Sequence, residues 1–71
     1  MDTTTEITMK LLNDLFSGSD NKLQASYSKY YDSLDTSQSK EVVSGALKKI
    51  LHENDNVKCE FGEDSFTLVA E

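Results

Sequence analysis

The chain has 71 residues, with seven Lys and no Arg against thirteen Asp and Glu, and its net charge is −6. This length predicts one domain spanning residues 1–71 with a modest core, because so short a chain buries only about 60% of its unfolded surface. The acidity disfavours nucleic acids and anionic membranes as partners and favours basic protein surfaces.

The cysteine content and the absence of long apolar runs predict a soluble cytoplasmic protein. A single cysteine, Cys59, cannot form an internal disulfide, which favours a reducing compartment. No apolar run approaches the ~20 residues that span a bilayer, and the acidic residues 1–6 do not resemble a signal peptide. No Cys/His cluster has metal-ligand spacing, so we expect no metal and no cofactor.

The first apolar pattern predicts a helix over about 4–17. Thr3 and Glu6 fit a capping box at its start, and Gly18 suits a left-handed residue that ends it. Its apolar residues cover about 200° of the circumference, which is wider than the stripe of an ordinary surface helix. They form an inner stripe and an outer stripe: Ile7, Leu11 and Leu15 in the first, and Met9, Leu12 and Phe16 in the second.

A second helix is predicted over about 20–34, with Ser19 or Asp20 as its cap. A narrow apolar seam defines it: Leu23, Tyr27, Tyr30 and Leu34. The seam predicts that Tyr27 and Tyr30 pack in the core with their hydroxyls near solvent. Tyr31 lies off the seam, and we expect it to be an exposed contact residue.

The third helix is predicted over about 38–52, with either Asp35 or Ser37 as its cap. It carries a broad apolar arc with three lysines beside it: Lys40, Lys48 and Lys49. Gly45 lies in its middle, where it costs about 1 kcal/mol relative to Ala and would admit a close neighbour.

After residue 56 the apolar period changes from 3.6 to 2, which predicts a hairpin of strands about 57–61 and 65–70. Pairing Phe61 with Phe66 sets Cys59 opposite Leu68 and keeps the apolar residues on one face. The sequence therefore predicts a small α+β domain of three helices with a C-terminal antiparallel β-hairpin.

Residues 32–36, Asp-Ser-Leu-Asp-Thr, resemble the attachment motif of acyl carrier proteins, which are also small, acidic and helical. The resemblance implies that Ser33 carries a phosphopantetheine arm and that the next helix faces a partner enzyme. The alternative interpretation is a helix end capped by Asp and Ser, with Leu34 buried.

The third helix and the hairpin together resemble a winged helix, with 38–52 as recognition helix and 57–70 as wing. Lys40, Lys48 and Lys49 favour DNA binding, whereas the acidic wing opposes it. Cys59 and His52 could form a nucleophile–base pair. However, an inward Cys59 is expected to be inert, so the chain is predicted not to be an enzyme.

The leading hypothesis is a non-enzymatic protein-binding module that docks on a protein with a basic surface, or dimerises, through its first helix. The absence of Pro, Trp and Arg is typical of AT-rich genes of phages and mobile elements, which suggests an accessory or inhibitor protein acting on a host protein. The predicted partner-binding residues are Met9, Leu12, Phe16, Tyr31, Glu60, Glu63 and Asp64.

Overall fold

A computed structural model describes residues 2–18 and 20–71. Within them the chain forms an α+β fold in which helices pack on a three-stranded antiparallel sheet of order β1-β3-β2. The elements in chain order are α1 (Thr3–Ser17), β1 (Lys22–Ser26), α2 (Tyr27–Tyr30), α3 (Thr36–Glu53), β2 (Val57–Phe61) and β3 (Ser65–Ala70).

Helix α1 begins one residue earlier than predicted and has a different cap. Asp2 is its N-cap, and the carboxylate of Asp2 accepts the N–H of Thr5 at 2.8 Å. The capping box predicted for Thr3 is wrong, because Asp2 already satisfies a free amide of the first turn. Gly18 has a φ of −80° and leaves the helix as extended backbone, so the predicted left-handed ending is wrong as well.

The predicted helix over 20–34 is wrong. Residues 22–26 instead form β1, which pairs antiparallel with β3, and only the single turn of α2 is helical. Leu23 lies opposite Leu68 in this pairing, so the strand still directs its apolar side chains towards the core. Pairing with the free edge of β3 satisfies the backbone of this segment, and this tertiary effect overrides the local helical pattern.

The caps predicted for that helix do not apply. Asp20 precedes a strand rather than a helix, and Ser19 lies outside the described residues. Leu34, predicted to be buried at the end of the seam, is fully exposed in the loop between α2 and α3. The loop turns away after Tyr30, so the helical spacing that would have buried Leu34 is lost.

Helix α3 confirms one of the two predicted caps. The carboxylate of Asp35 accepts the N–H of Ser37 at 2.9 Å, and the helix extends slightly beyond the predicted 38–52. Gly45 admits no close neighbour, since a Cβ built on it would meet no atom within 4 Å.

The hairpin is confirmed with the predicted bounds and register. Phe61 pairs with Phe66, and Cys59 pairs with Leu68. The core lies between the sheet and the helices, and its buried side chains come from both layers: Ile7, Leu11, Leu15, Tyr27, Val43, Ala46, Leu47, Ile50, Val57, Phe66 and Leu68.

Candidate protein-binding surface

The outer stripe of α1, formed by Met9, Leu12 and Phe16, stays largely at the surface of the folded chain. Met9 is 55% exposed and Phe16 is 54% exposed, while Leu12 is partly buried against the edge of the core. The inner stripe of the same helix is buried. The helix therefore has one apolar face in the core and a second one that faces solvent.

Acidic groups lie at the start of α1, near the outer stripe. At 3.6 residues per turn, Glu6 lies about 60° from Met9 around the helix axis, whereas Lys10 lies about 100° from Met9. Asp2 and Glu6 are both exposed. Hydrogen bonds from Thr5 lower the pKa of Asp2, with a smaller contribution from Lys49, so this carboxylate is charged at neutral pH. The border of the outer stripe is thus negatively charged at its N-terminal end.

The acidic residues predicted to bind a partner on the hairpin are exposed: Glu60, Glu63 and Asp64. They lie at or beside the hairpin tip, residues 62–64, which Tyr27 holds in place. The hydroxyl of Tyr27 donates to the Gly62 carbonyl at 2.8 Å, and its N–H donates to the Asp64 carbonyl at 3.3 Å. The tip is therefore attached to the start of α2, whereas the outer stripe lies on α1.

The three tyrosines are mainly structural. Tyr27 is buried, and Tyr30 is half-buried with its hydroxyl donating to Asp14 Oδ2 at 2.6 Å. The rings of both pack against Phe66, at centroid distances of 5.5 and 5.9 Å. Tyr31 is also half-buried and packs against the core, so it is less exposed than predicted.

Ser33 lies in the loop that precedes α3 and does not end a helix as predicted, because α2 stops at Tyr30. Its hydroxyl donates to Gln38 Oε1 at 3.2 Å and accepts the N–H of Asp35 at 3.3 Å. Both contacts brace the start of α3. Attachment of a phosphopantetheine arm would break the donated bond.

Cys59 and His52 show no feature of an activated pair. Burial, with a smaller contribution from Glu60, raises the pKa of the Cys59 thiol to about 11, so the thiol is protonated at neutral pH. His52 is exposed in the last turn of α3. Over residues 2–18 and 20–71, no three His, Cys, Asp or Glu side chains are grouped so that they could hold a metal ion.

Sequence reasoning missed two exposed apolar side chains and a cavity. Leu34 is fully exposed between Asp32 and Asp35, and this acidic setting was the signal that could have revealed it. Phe61 was assigned to the inner face of the hairpin, but at the end of β2 it is 42% exposed. The cavity lies at the start of α3, and its lining comes from residues 26–28, 36–40 and 63–64. Because these segments are distant in sequence, no local sequence pattern predicts the cavity.

Comparisons of the chain with protein-family models, curated proteins and solved structures give no significant match. None of the helices in the described part of the chain is both long and apolar enough to cross a membrane.

Proposed function

We propose that this protein is a non-enzymatic protein-binding module that docks the outer stripe of α1 into an apolar groove of a partner protein with a basic rim. The observation that supports the proposal is the exposure of Met9 and Phe16 on a helix whose opposite face is fully buried. Amphipathic helices bind grooves through apolar residues spaced three, four and seven apart, and the outer stripe has this spacing.

The composition of the outer stripe suits binding better than solvent exposure. Methionine and phenylalanine are enriched at protein interfaces, where they contribute large apolar contacts. The ends of the stripe, Met9 and Phe16, are seven positions apart, which is about 10 Å along the helix axis. The stripe therefore fits a narrow groove or pocket, rather than the broad flat surface of an obligate dimer.

Charge favours a basic partner over a second copy of the chain. Each copy carries a net charge of −6, so self-association would bring two acidic surfaces together. Glu6 lies within one turn of Met9, inside the screening length of about 8 Å at physiological salt. An accessory or inhibitor protein that acts on a basic host protein would use such a surface.

The test begins with photocrosslinking in lysate of the native host, with a photoreactive phenylalanine analogue replacing Phe16. The captured partner is then purified, and its affinity is measured by calorimetry for the wild type and for Met9→Ser and Phe16→Ser. We expect each substitution to weaken binding at least about tenfold, because apolar anchors of an interface contribute more than 1 kcal/mol each. Folding should be unaffected, since both side chains are more than half exposed.

Leu34→Ser and Phe61→Ser are the matched controls, because they remove exposed apolar side chains from other elements. We expect both controls to bind as the wild type does. The proposal fails if outer-stripe variants retain full affinity, or if the wild type sediments as a dimer that these variants abolish.

DNA binding is the second candidate, favoured by the position of α3 directly before the β2–β3 hairpin, which resembles a winged helix. The exposed Lys48 and Lys49 support it, whereas Glu63 and Asp64 at the hairpin tip would repel phosphates. Fluorescence anisotropy with duplex DNA at low salt tests it, and we expect no binding. Binding that persists at moderate salt would favour this candidate over the first.

A further inference from the structure

Strand β2 (Val57–Phe61) lies at an edge of the sheet, because in the described part of the chain it pairs with β3 alone. Its pairing with β3 is continuous over all five residues, without a bulge. A regular edge strand presents unpaired N–H and C=O groups, on which another strand can assemble. The outer edge of β2 is therefore open to a further strand.

Hydrogen bonds at both ends of the β2–β3 ladder show which backbone groups face this outer edge. The N–H of Gly62 donates to the Ser65 carbonyl at 2.8 Å, and the N–H of Glu71 donates to the Asn56 carbonyl at 2.7 Å. Successive residues of a strand point their backbone groups in alternating directions. The even-numbered residues of β2 therefore bond to β3, and the odd-numbered residues face outwards.

Most of the outward backbone groups of β2 are unpaired. The N–H of Val57 donates to the Asn54 carbonyl at 3.2 Å. Cys59 and Phe61 have no partner for their outward N–H and C=O groups in the described part of the chain. The inner side chains also become more exposed towards the hairpin tip, from 4% for Val57 to 42% for Phe61. A second strand at this edge would satisfy these backbone groups and cover the Phe61 ring.

The charges on β2 select one register for its antiparallel pairing with β2 of a second copy. Outward-facing residues must lie opposite one another, so each register is centred on one residue of the strand. Centring on Lys58 sets Lys58 opposite Lys58, and centring on Glu60 sets Glu60 opposite Glu60, which is destabilising. Centring on Cys59 instead sets Lys58 opposite Glu60 twice. It also sets Val57 opposite Phe61, and it is the register that pairs the whole strand.

The other edge of the sheet, β1, lacks this self-complementarity. The N–H of Ala70 bonds to the Asn21 carbonyl, so the even-numbered residues of β1 face outwards. Centring β1 on Gln24 sets Lys22 opposite Ser26, and no opposite charges meet. Edge strands usually carry charges that repel another strand. On β2 the charges have opposite signs, so they favour a second copy instead.

We propose that two copies of this chain pair through β2, in the register centred on Cys59, and form one sheet with three strands from each copy. The two Cys59 residues exchange N–H and C=O groups, and the N–H of Phe61 donates to the Val57 carbonyl of the second copy. The two-fold axis closes this interface, so assembly through β2 stops at the dimer. The paired segment carries one lysine and one glutamate per copy and is locally neutral, although the chain has a net charge of −6.

Sedimentation equilibrium of the full chain at concentrations up to about 1 mM tests the dimer, since an interface of one strand pair is small and is expected to be weak. Salt at about 0.15 M screens the exposed carboxylates of Asp55 and Glu63, which this register brings near each other across the two copies. We expect a reversible monomer–dimer equilibrium for the wild type.

Charge reversal tests the register. Lys58→Glu sets two carboxylates opposite each other, and Glu60→Lys sets two ammonium groups opposite each other. We expect each variant alone to dimerise at least about tenfold more weakly than the wild type, because both cross-strand charge pairs become repulsive. An equimolar mixture of the two variants should regain wild-type affinity as a mixed dimer, because opposite charges meet again. Both side chains are exposed, so folding should not change.

Lys10→Glu and Glu6→Lys are the matched controls, because they make the same changes of charge at exposed positions of α1. We expect both controls to dimerise as the wild type does. Met9→Ser and Phe16→Ser should also leave the β2 dimer intact, so failure of the docking proposal can be recognised separately.

The proposal is overturned if the wild type remains monomeric at about 1 mM, or if the variants of Lys58 and Glu60 dimerise as the wild type does. It is equally overturned if the mixture of these two variants does not regain affinity, or if Lys10→Glu weakens the dimer as much as Lys58→Glu. Species larger than a dimer would also contradict it, because they indicate open-ended pairing of β2 with β1 of the next copy.

Discussion

Tyr27 and Tyr30 lie three residues apart in α2, yet their hydroxyls bond to distant parts of the chain. Tyr27 donates to the hairpin tip at Gly62, whereas Tyr30 donates to Asp14 on α1. Both rings contact Phe66 on the central strand. These two side chains therefore connect a single helical turn to α1, to the sheet and to the tip.

Replacing Tyr30 with Phe should lower the free energy of unfolding by about 1 kcal/mol, because it leaves the Asp14 carboxylate without this donor. Urea denaturation of wild type and variant measures the difference. Tyr31→Phe is the control, since its hydroxyl donates to neither Asp14 nor Gly62. An equal loss in both variants would contradict a specific role for the Tyr30–Asp14 bond.

The effect of Tyr30→Phe should also depend on pH. Burial, then the hydrogen bond and charge of Asp14, raise the pKa of Tyr30 above its ordinary value of 10.0. The folded state therefore keeps a proton that the unfolded state loses, and stability falls as the pH rises above 10. We expect the difference between wild type and Tyr30→Phe to be constant below pH 10 and to shrink above it. A difference that grows with pH would have the wrong sign.

At the scale of the elements, local patterns were sufficient for α1, α3 and the hairpin, but not for the segment between α1 and α3. The helical spacing of Leu23, Tyr27 and Tyr30 correctly predicted which side chains face the core, but it predicted a helical backbone where residues 22–26 form a strand. In β1 the inward residues are Leu23 and Ala25, which are too few for an alternating pattern to stand out. The free edge of β3 decides the conformation of this segment, and that edge exists only after the hairpin forms.

Two glycines offer a test at this scale, because their surroundings differ. A Cβ on Gly62 would lie 2.6 Å from the Ser65 carbonyl oxygen, whereas one on Gly45 would meet nothing within 4 Å. Gly45→Ala should stabilise the protein by up to about 1 kcal/mol through helix propensity. Gly62→Ala should destabilise it, because the turn must open to relieve the clash.

Thermal unfolding followed by circular dichroism measures both glycine variants. A rise in melting temperature for Gly62→Ala would show that the turn tolerates a side chain there. Loss of stability for Gly45→Ala would indicate that this exposed face of α3 is covered in solution.

For the whole molecule, one small core must supply the stability, since a chain of this size is stable by only about 4–10 kcal/mol. Phe66 lies at the centre of that core, on the central strand and against both Tyr27 and Tyr30. The packing of α2 against the hairpin therefore depends on the Phe66 ring. Loss of this single ring should therefore affect the cooperative unfolding of the whole chain.

We expect Phe66→Ala to cost about 3–5 kcal/mol, which is a large part of the stability of a chain of this size. Phe61→Ala, opposite it in the hairpin, should cost far less because that ring is partly exposed. Calorimetry and amide dispersion in NMR spectra measure both. An equally small loss of stability for Phe66→Ala and Phe61→Ala would mean that the core does not depend on Phe66.

The sequence by itself determined the α+β class, the two long helices, the hairpin with its register, and the outer stripe on α1. These features follow from the period of apolar residues within one element, which is a local property of the chain. Tertiary structure alone decided that residues 22–26 form a strand, that Leu34 is exposed, and that Ser39, Lys40 and Asp64 share a cavity. Each of these depends on which distant residues become neighbours. Pairing with β3 and packing against Phe66 establish those neighbours only in the folded chain.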